Sequence, residues 1–183
     1  MKATAIASVL LSVAGTVADS WSLRGTTLDT RPELAGTVLA DQLRPFSGTD
    51  SAGRVIKGTL QDRVVQRTRG GTLDFYYRIM LDADSTVSIF KVVREGFEEV
   101  DVRVHDANWR IDGVGSVGPS LAYHDKACCF EMIYQPNFRP GEESRFVFIE
   151  TGLKRYDTRG AIKIYPVDLD ETYVLVQGFS PVF

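Results

Sequence analysis

Only two cysteines and two histidines occur among the 183 residues, and both shortages narrow the chemistry. The cysteines, Cys128 and Cys129, are adjacent. Successive strand residues point to opposite faces, so a bond between them requires a strained vicinal ring, and a framework of disulfides is excluded. The pair reads as two small core or boundary residues, with a redox pair or an intermolecular bridge as the sharper alternative. No HExxH, no paired CxxC and no glycine-rich phosphate cradle leading into a helix is present, which leaves zinc and nucleotide chemistry without positive support. Basic runs are missing too. The formal charge is −3, or −4 once a leader carrying Lys2 is removed, and this argues against nucleic acid or an anionic membrane as partner. No apolar stretch reaches the roughly 20 residues that span a bilayer, so the mature chain carries no expected membrane span. Helical stripes of useful length are absent past the first 18 residues, as are internal repeats.

What is present begins with Met1-Lys2, an apolar run from Ala3 to Val17, and the small residues around Ala18-Asp19-Ser20. A basic end, a short hydrophobic centre and small residues at the join are the parts of a signal peptide, cleaved near Ala18. The expected destination is therefore secreted or periplasmic. Hydrophobic residues make up 44% and charged residues 25% of the chain, ordinary values for a folded domain. The expected division is a signal peptide over 1–18, a loop-rich segment with one strand over 19–53, and a β-sandwich domain over 54–183.

Two-residue alternation carries the fold reading. It is clearest over Thr72–Met80, where Leu73, Phe75, Tyr77 and Ile79 share one face and Asp74, Tyr76 and Arg78 the other. Further runs lie at Leu34–Leu39, Arg54–Leu60, Asp62–Arg67, Thr86–Val93, Phe97–His105, Ala127–Tyr134, Ser144–Thr151, Ala161–Tyr165 and Thr172–Gln177. In Phe97–His105, Val100, Val102 and Val104 are expected to face inward. Asp106–Pro119 reads as a long loop pinned by Trp109 and Ile111. About eight to ten short strands with regular turn signals predict an all-β, antiparallel β-sandwich of jelly-roll or immunoglobulin-like order. Phe75, Tyr77, Phe146 and Phe148 are assigned to its core.

Three segments, Pro32-Glu33-Leu34-Ala35-Gly36-Thr37-Val38-Leu39, Gly58-Thr59-Leu60-Gln61-Asp62-Arg63-Val64-Val65 and Gly71-Thr72-Leu73-Asp74-Phe75-Tyr76-Tyr77-Arg78, resemble the exported β domains of bacterial PEP-CTERM proteins. The likeness continues through Val100-Asp101-Val102-Arg103, Asp112-Gly113-Val114-Gly115 and Pro140–Thr151. It implies a bacterial surface or extracellular-matrix setting and carries over no catalytic residues. The family's sorting tail is a Pro-Glu-Pro signal, an apolar span and a basic end, and Gly178–Phe183 does not match it, so the expectation shifts to a periplasmic or freely released protein.

Candidate chemistry comes in three kinds. His105 and His124, near Asp101, Asp106 and Asp125, supply the imidazole and carboxylates of proton transfer, but Ser116 and Ser120 lack a nucleophile-elbow context. Both histidines read first as solvated surface groups. Asp106, Asn108 and Asp112 in a glycine-rich loop offer the hard oxygens of a structural calcium site, without EF-hand spacing; Asp82-Ala83-Asp84 and Asp168-Leu169-Asp170-Glu171 are similar acidic turns. Trp109, Tyr123 and Tyr76 offer flat rings for stacking on sugars, against the plainer reading that Trp109 plugs one end of the sandwich and Tyr76 covers a sheet. Together these predict a secreted, non-enzymatic β-sandwich with a binding or structural role, its partner a polysaccharide or another surface protein. The alternative is an extracellular hydrolase acting on glycans or esters.

Overall fold

A computed structural model describes residues 19–49, 52–98, 100, 106–125, 128–167 and 172–183. The expected signal peptide over 1–18, the part of the expected Phe97–His105 strand with Asp101, Val102, Val104 and His105, and the expected acidic turn at 168–171 lie outside the described residues. Within them the chain is an antiparallel β-sandwich. One sheet has six strands in the order β1 (Asp19–Ser22), β7 (Leu121–Asp125), β8 (Cys129–Phe138), β5 (Ile89–Glu95), β10 (Tyr156–Pro166) and β11 (Val174–Pro181). The other has five: β2 (Gly36–Thr49), β3 (Val55–Arg67), β4 (Leu73–Leu81), β9 (Val147–Glu150) and β6 (Ala107–Trp109). No α-helix occurs among the described residues, and none of their helices is long and apolar enough to cross a membrane.

The segment read as loop-rich supplies an edge strand to each sheet. β1 pairs with β7, and β2 runs for 14 residues along β3, broken by a bulge between Val38 and Ala40. Val55–Arg67, read as two runs, is one strand, because Gln61 and Asp62 continue the alternation with opposite fates: Gln61 points outward and Asp62 is wholly buried. The expected long loop after Asp106 opens with the short strand β6, paired to β9 through Ala107, Asn108 and Trp109.

Apolar residues of alternate phase meet between the sheets. Leu60, Val64, Phe75, Tyr77 and Ile79 face Val92, Phe130, Met132, Ile162 and Ile164, with Phe75, Phe97 and Phe130 in edge-to-face contact at 5.2 and 6.0 Å. Phe146 and Phe148, assigned to this core from their alternation, belong elsewhere. They lie on the outer face of the five-stranded sheet with Leu34, Val65 and Tyr76, while Val147 and Ile149 point between the sheets. Alternation says that two residues share a face and is silent on which face.

One ion pair crosses the sandwich interior. Arg94 of β5 donates from Nη2 to Asp62 Oδ1 of β3 and to the carbonyl of Phe179 in β11, each at 2.8 Å, and the Phe179 amide donates to Asp62 Oδ2 at 2.6 Å. Neither charged side chain is more than 1% exposed. Rings of Phe97, Phe75 and Tyr77 surround the guanidinium at 5.3, 5.7 and 6.0 Å. Gly178 permits this approach, since a Cβ there would stand 2.9 Å from Ile162 Cδ1 and 3.1 Å from Asp62 Oδ2. A buried pair of this kind contributes little net stability over an apolar substitute, yet removing one member strands the other charge at a cost of about 3–5 kcal/mol. Arg94→Met is therefore expected to destabilise by about that amount, while the double variant Asp62→Asn with Arg94→Met, which keeps an acceptor for the Phe179 amide, recovers much of it. Urea unfolding of the two variants checks this, and equal losses would contradict the pairing.

Candidate functional site

The outer face of the five-stranded sheet is built in transverse rows by the strand register. Gln61 of β3 stands beside Arg78 of β4, and Arg63 stands beside Tyr76. Tyr76 is opposite Phe148 of β9, which is opposite Asn108 of β6, and Asp74 is opposite Glu150. The amide of Arg110, just past β6, donates to the Phe146 carbonyl at 2.9 Å, so Arg78, Phe146 and Arg110 continue the first row. Two connections rise beside this face: the segment after Thr26 with its 3-10 turn at Pro32–Leu34, and the glycine-rich loop after Arg110. They are tied together where the Ile111 amide donates to the Thr26 carbonyl at 2.8 Å and the Leu28 amide to Asp112 at 2.9 Å.

Between them lies a groove of about 510 Å³, within the usual range for small-molecule sites. Its floor is Leu34, Val65, Tyr76 and Phe146, its rim includes Leu28, Val38 and Val114, and its polar lining is Gln61, Arg63, Arg78 and Arg110. No carboxylate among the described residues lines it; the acids that hold the arginines do so from outside that lining. Asp41 takes Arg63 at 2.6 and 3.1 Å, Glu143 takes Arg78 at 3.0 Å, and Asp112 takes Arg110 at 2.7 and 2.8 Å. Arg78 Nε also donates to Gln61 at 2.7 Å. The guanidinium groups of Arg63 and Arg78 cover the Phe146 ring, 4.6 and 5.4 Å from its centre. Hydrogen bonds from Arg110, with help from the Leu28 amide, hold the Asp112 carboxyl down at about 2. Burial pushes the Tyr76 hydroxyl up, against the pull of the Arg110 guanidinium beside it.

Further along the same face is a cluster of charges. Arg67 bonds Asp74 at 2.7 Å and also Glu150, while Arg31 bonds Glu150 and, at 2.7 Å, Glu33. Asp106 stands near enough to be felt by both inner carboxylates. Four acids around two guanidinium groups leave the cluster short of positive charge. Burial, against the pull of Arg67, raises Asp74 to about 6 and Glu150 to about 7. Values near neutrality mark acid–base candidates. Here, however, both Glu150 oxygens are taken by guanidinium groups, so the cluster acts as a clamp that fastens the Arg31–Glu33 turn, and with it the groove wall, to the sheet.

The residues singled out from sequence do not converge. Trp109 is packed, not presented. A Cβ on Gly25 or on Gly118 would lie 2.7 or 2.5 Å from its indole, and Arg145 caps the ring at 5.6 Å. Tyr76 is only 4% exposed and forms the groove floor, so it has no open ring face for a sugar. Tyr123 is half-buried on the six-stranded sheet, paired across to Ser20 and Glu131. His124, read as a surface group, is 1% exposed and stacked on Phe130 at 4.1 Å, because its phase in β7 is the inward one. No substrate reaches it, and His105 lies outside the described residues.

For calcium, Asn108 Oδ1 is occupied by the amides of Gly25 and Trp109 at 3.0 and 2.9 Å, and Asp112 carries Arg110. A guanidinium in that position repels a cation, and no group of three or more His, Cys, Asp or Glu side chains is placed for a metal among the described residues. Cys128 and Cys129, argued against as partners, are bonded to each other. The strand argument does not apply to them: Cys128 sits in the turn after Asp125, its amide on the Asp125 carbonyl at 3.0 Å, and only Cys129 belongs to β8.

The arginines of the groove were missed, although their signal was available. Arg63 and Arg67, then Asp74, Tyr76 and Arg78, alternate in the outward phase of two consecutive strands.

The clamp makes stability depend on pH. Asp74 and Glu150 bind protons more tightly in the folded chain than unfolded, where carboxyls titrate near 4, so their contribution is complete below about pH 4 and is lost as pH rises through about 6 and 7. The thermal midpoint is expected to fall by a few degrees from pH 5.5 to pH 8, and Glu150→Gln should flatten that slope. A midpoint that rises over this interval would contradict the assignment.

No protein family, no curated protein and no solved structure matches this chain.

Proposed function

We propose that this protein is a secreted, non-enzymatic binding domain that holds a glycan at the bacterial cell surface or in the extracellular matrix, and that the groove on the five-stranded sheet is its binding surface. The single observation that carries the reading is the composition of that groove: an apolar floor and rim joined to three arginines and an amide, each held in place by a partner outside the lining. A few fixed polar groups over an apolar base are what a recognition site needs, and fixing them before the ligand arrives lowers the ordering cost of binding. The leader-like N-terminus and the likeness to exported β domains support the extracellular setting. The burial of His124 takes away one of the two histidines on which the hydrolase alternative rests.

Val114 is 54% exposed at the groove rim, so Val114→Trp fills the mouth without touching the core. In affinity electrophoresis through gels containing polygalacturonate or dextran, the protein is expected to be retarded in at least one polymer. The variant should migrate at least tenfold closer to its polymer-free mobility, with an unchanged circular dichroism spectrum. Retardation that survives the tryptophan, or none in either gel, would overturn the reading.

A further inference from the structure

We infer that the groove recognises a carboxylate, carried on a ring or chain that rests on the apolar floor. This inference rests on the groove being the binding surface and specifies what it binds there.

The inference starts from hydrogen-bonding capacity left over after internal pairing. Arg63 uses Nε and Nη2 on Asp41, Arg78 uses Nε on Gln61 and Nη1 on Glu143, and Arg110 uses Nε and Nη2 on Asp112. Arg63 keeps Nη1 and Arg78 keeps Nη2 with no bond among the described residues, while Arg110 also has the Tyr76 hydroxyl beside it. A guanidinium cannot lose its proton to suit a neutral ligand, so these nitrogens call for acceptors. The Tyr76 hydroxyl, in a floor residue that is 4% exposed, stands beside the Arg110 guanidinium and helps to place it.

Position adds a second constraint. Arg63 and Arg78 stand on neighbouring strands over Phe146, whereas Arg110 lies two strands from Arg78 in the same row, roughly 10 Å away at the usual strand spacing. The interval accommodates one six-membered ring with its substituent, or the head of an amphipathic chain. A carboxylate meets a pair of guanidinium groups through charge-assisted bonds, about twice as strong as neutral ones, while its carrier covers Val65 and Leu34. The chain is negative overall, so a diffuse field does not draw anions in. Selection comes from bonds at contact, where the hydroxyls of a neutral sugar offer the guanidinium donors weaker acceptors than a carboxylate does.

The test is isothermal titration calorimetry of the secreted protein with three probes: trigalacturonate, its fully methyl-esterified form, and dodecanoate. Trigalacturonate is expected to bind at least tenfold more tightly than its ester. Arg63→Gln and Arg78→Gln should each remove at least tenfold of that affinity and leave the ester unaffected. If dodecanoate binds with the same sensitivity to both arginines and trigalacturonate does not bind, the carboxylate site stands and the glycan is wrong. If acid and ester bind equally and the arginine variants change neither, the groove is a glycan site without carboxylate recognition and this inference fails alone. Binding of no probe overturns both.

Discussion

The Arg94–Asp62 pair fixes the phase of the central strands, and the face that carries the groove follows from that phase. Side chains alternate along a strand, so holding Asp62 between the sheets sends Gln61, Arg63, Val65 and Arg67 outward. A slip of one residue would drive Arg63 into the apolar interior and expose Leu60 and Val64. The cost of burying an ion pair thus does more for specificity than for stability: Phe179 can supply its amide and carbonyl only when β3, β5 and β11 stand in this register. Both sheets are pinned by a contact that discriminates between alignments which the hydrophobic effect alone would rank closely.

On the outer face, charge does what a second sheet would do in a thicker fold. Phe146, Phe148 and Tyr76 lie outside the main core and are covered by guanidinium groups and by the loop that the Arg31, Glu150 and Arg67 contacts fasten down. Arginine suits that task because its planar head stacks on a ring while its nitrogens reach carboxylates to the side. The face is dry enough to raise two carboxyls toward neutrality and polar enough to keep the groove arginines oriented.

How much of this was legible in the sequence depends on how many strands each feature needs. The inward set on β4, Leu73, Phe75, Tyr77 and Ile79, follows from one strand's alternation and is buried as read. Phe146 and Phe148 needed the burial of both faces of β9 to be known, and that burial comes from a loop almost 120 residues earlier in the chain, through contacts such as Arg31 to Glu150. The groove needs β3, β4, β9 and β6 side by side, an order that is not the order of the sequence. Trp109 and Asn108 were singled out by type and loop context, yet the groups that absorb them, Gly25 and Gly118, are backbone positions whose closeness no composition reveals. His124 was placed in water because β7 went unrecognised, and without that strand its inward phase had no reference.

A groove lined by cations in a protein of net negative charge implies a particular kind of selectivity. Long-range steering scales with the summed field, and here the acids that hold the arginines cancel most of it at a distance. Close to the surface the cancellation fails. The groove lining holds the arginines and, among the described residues, none of their acids, so a ligand seated there meets guanidinium nitrogens rather than carboxylate oxygens. Discrimination therefore resides in hydrogen bonds formed at contact, which act mainly on how long a ligand stays and little on how fast it arrives. In the role proposed above, holding a polymer chain, a slow release matters more than a fast capture, because neighbouring repeats of the same polymer supply the encounters.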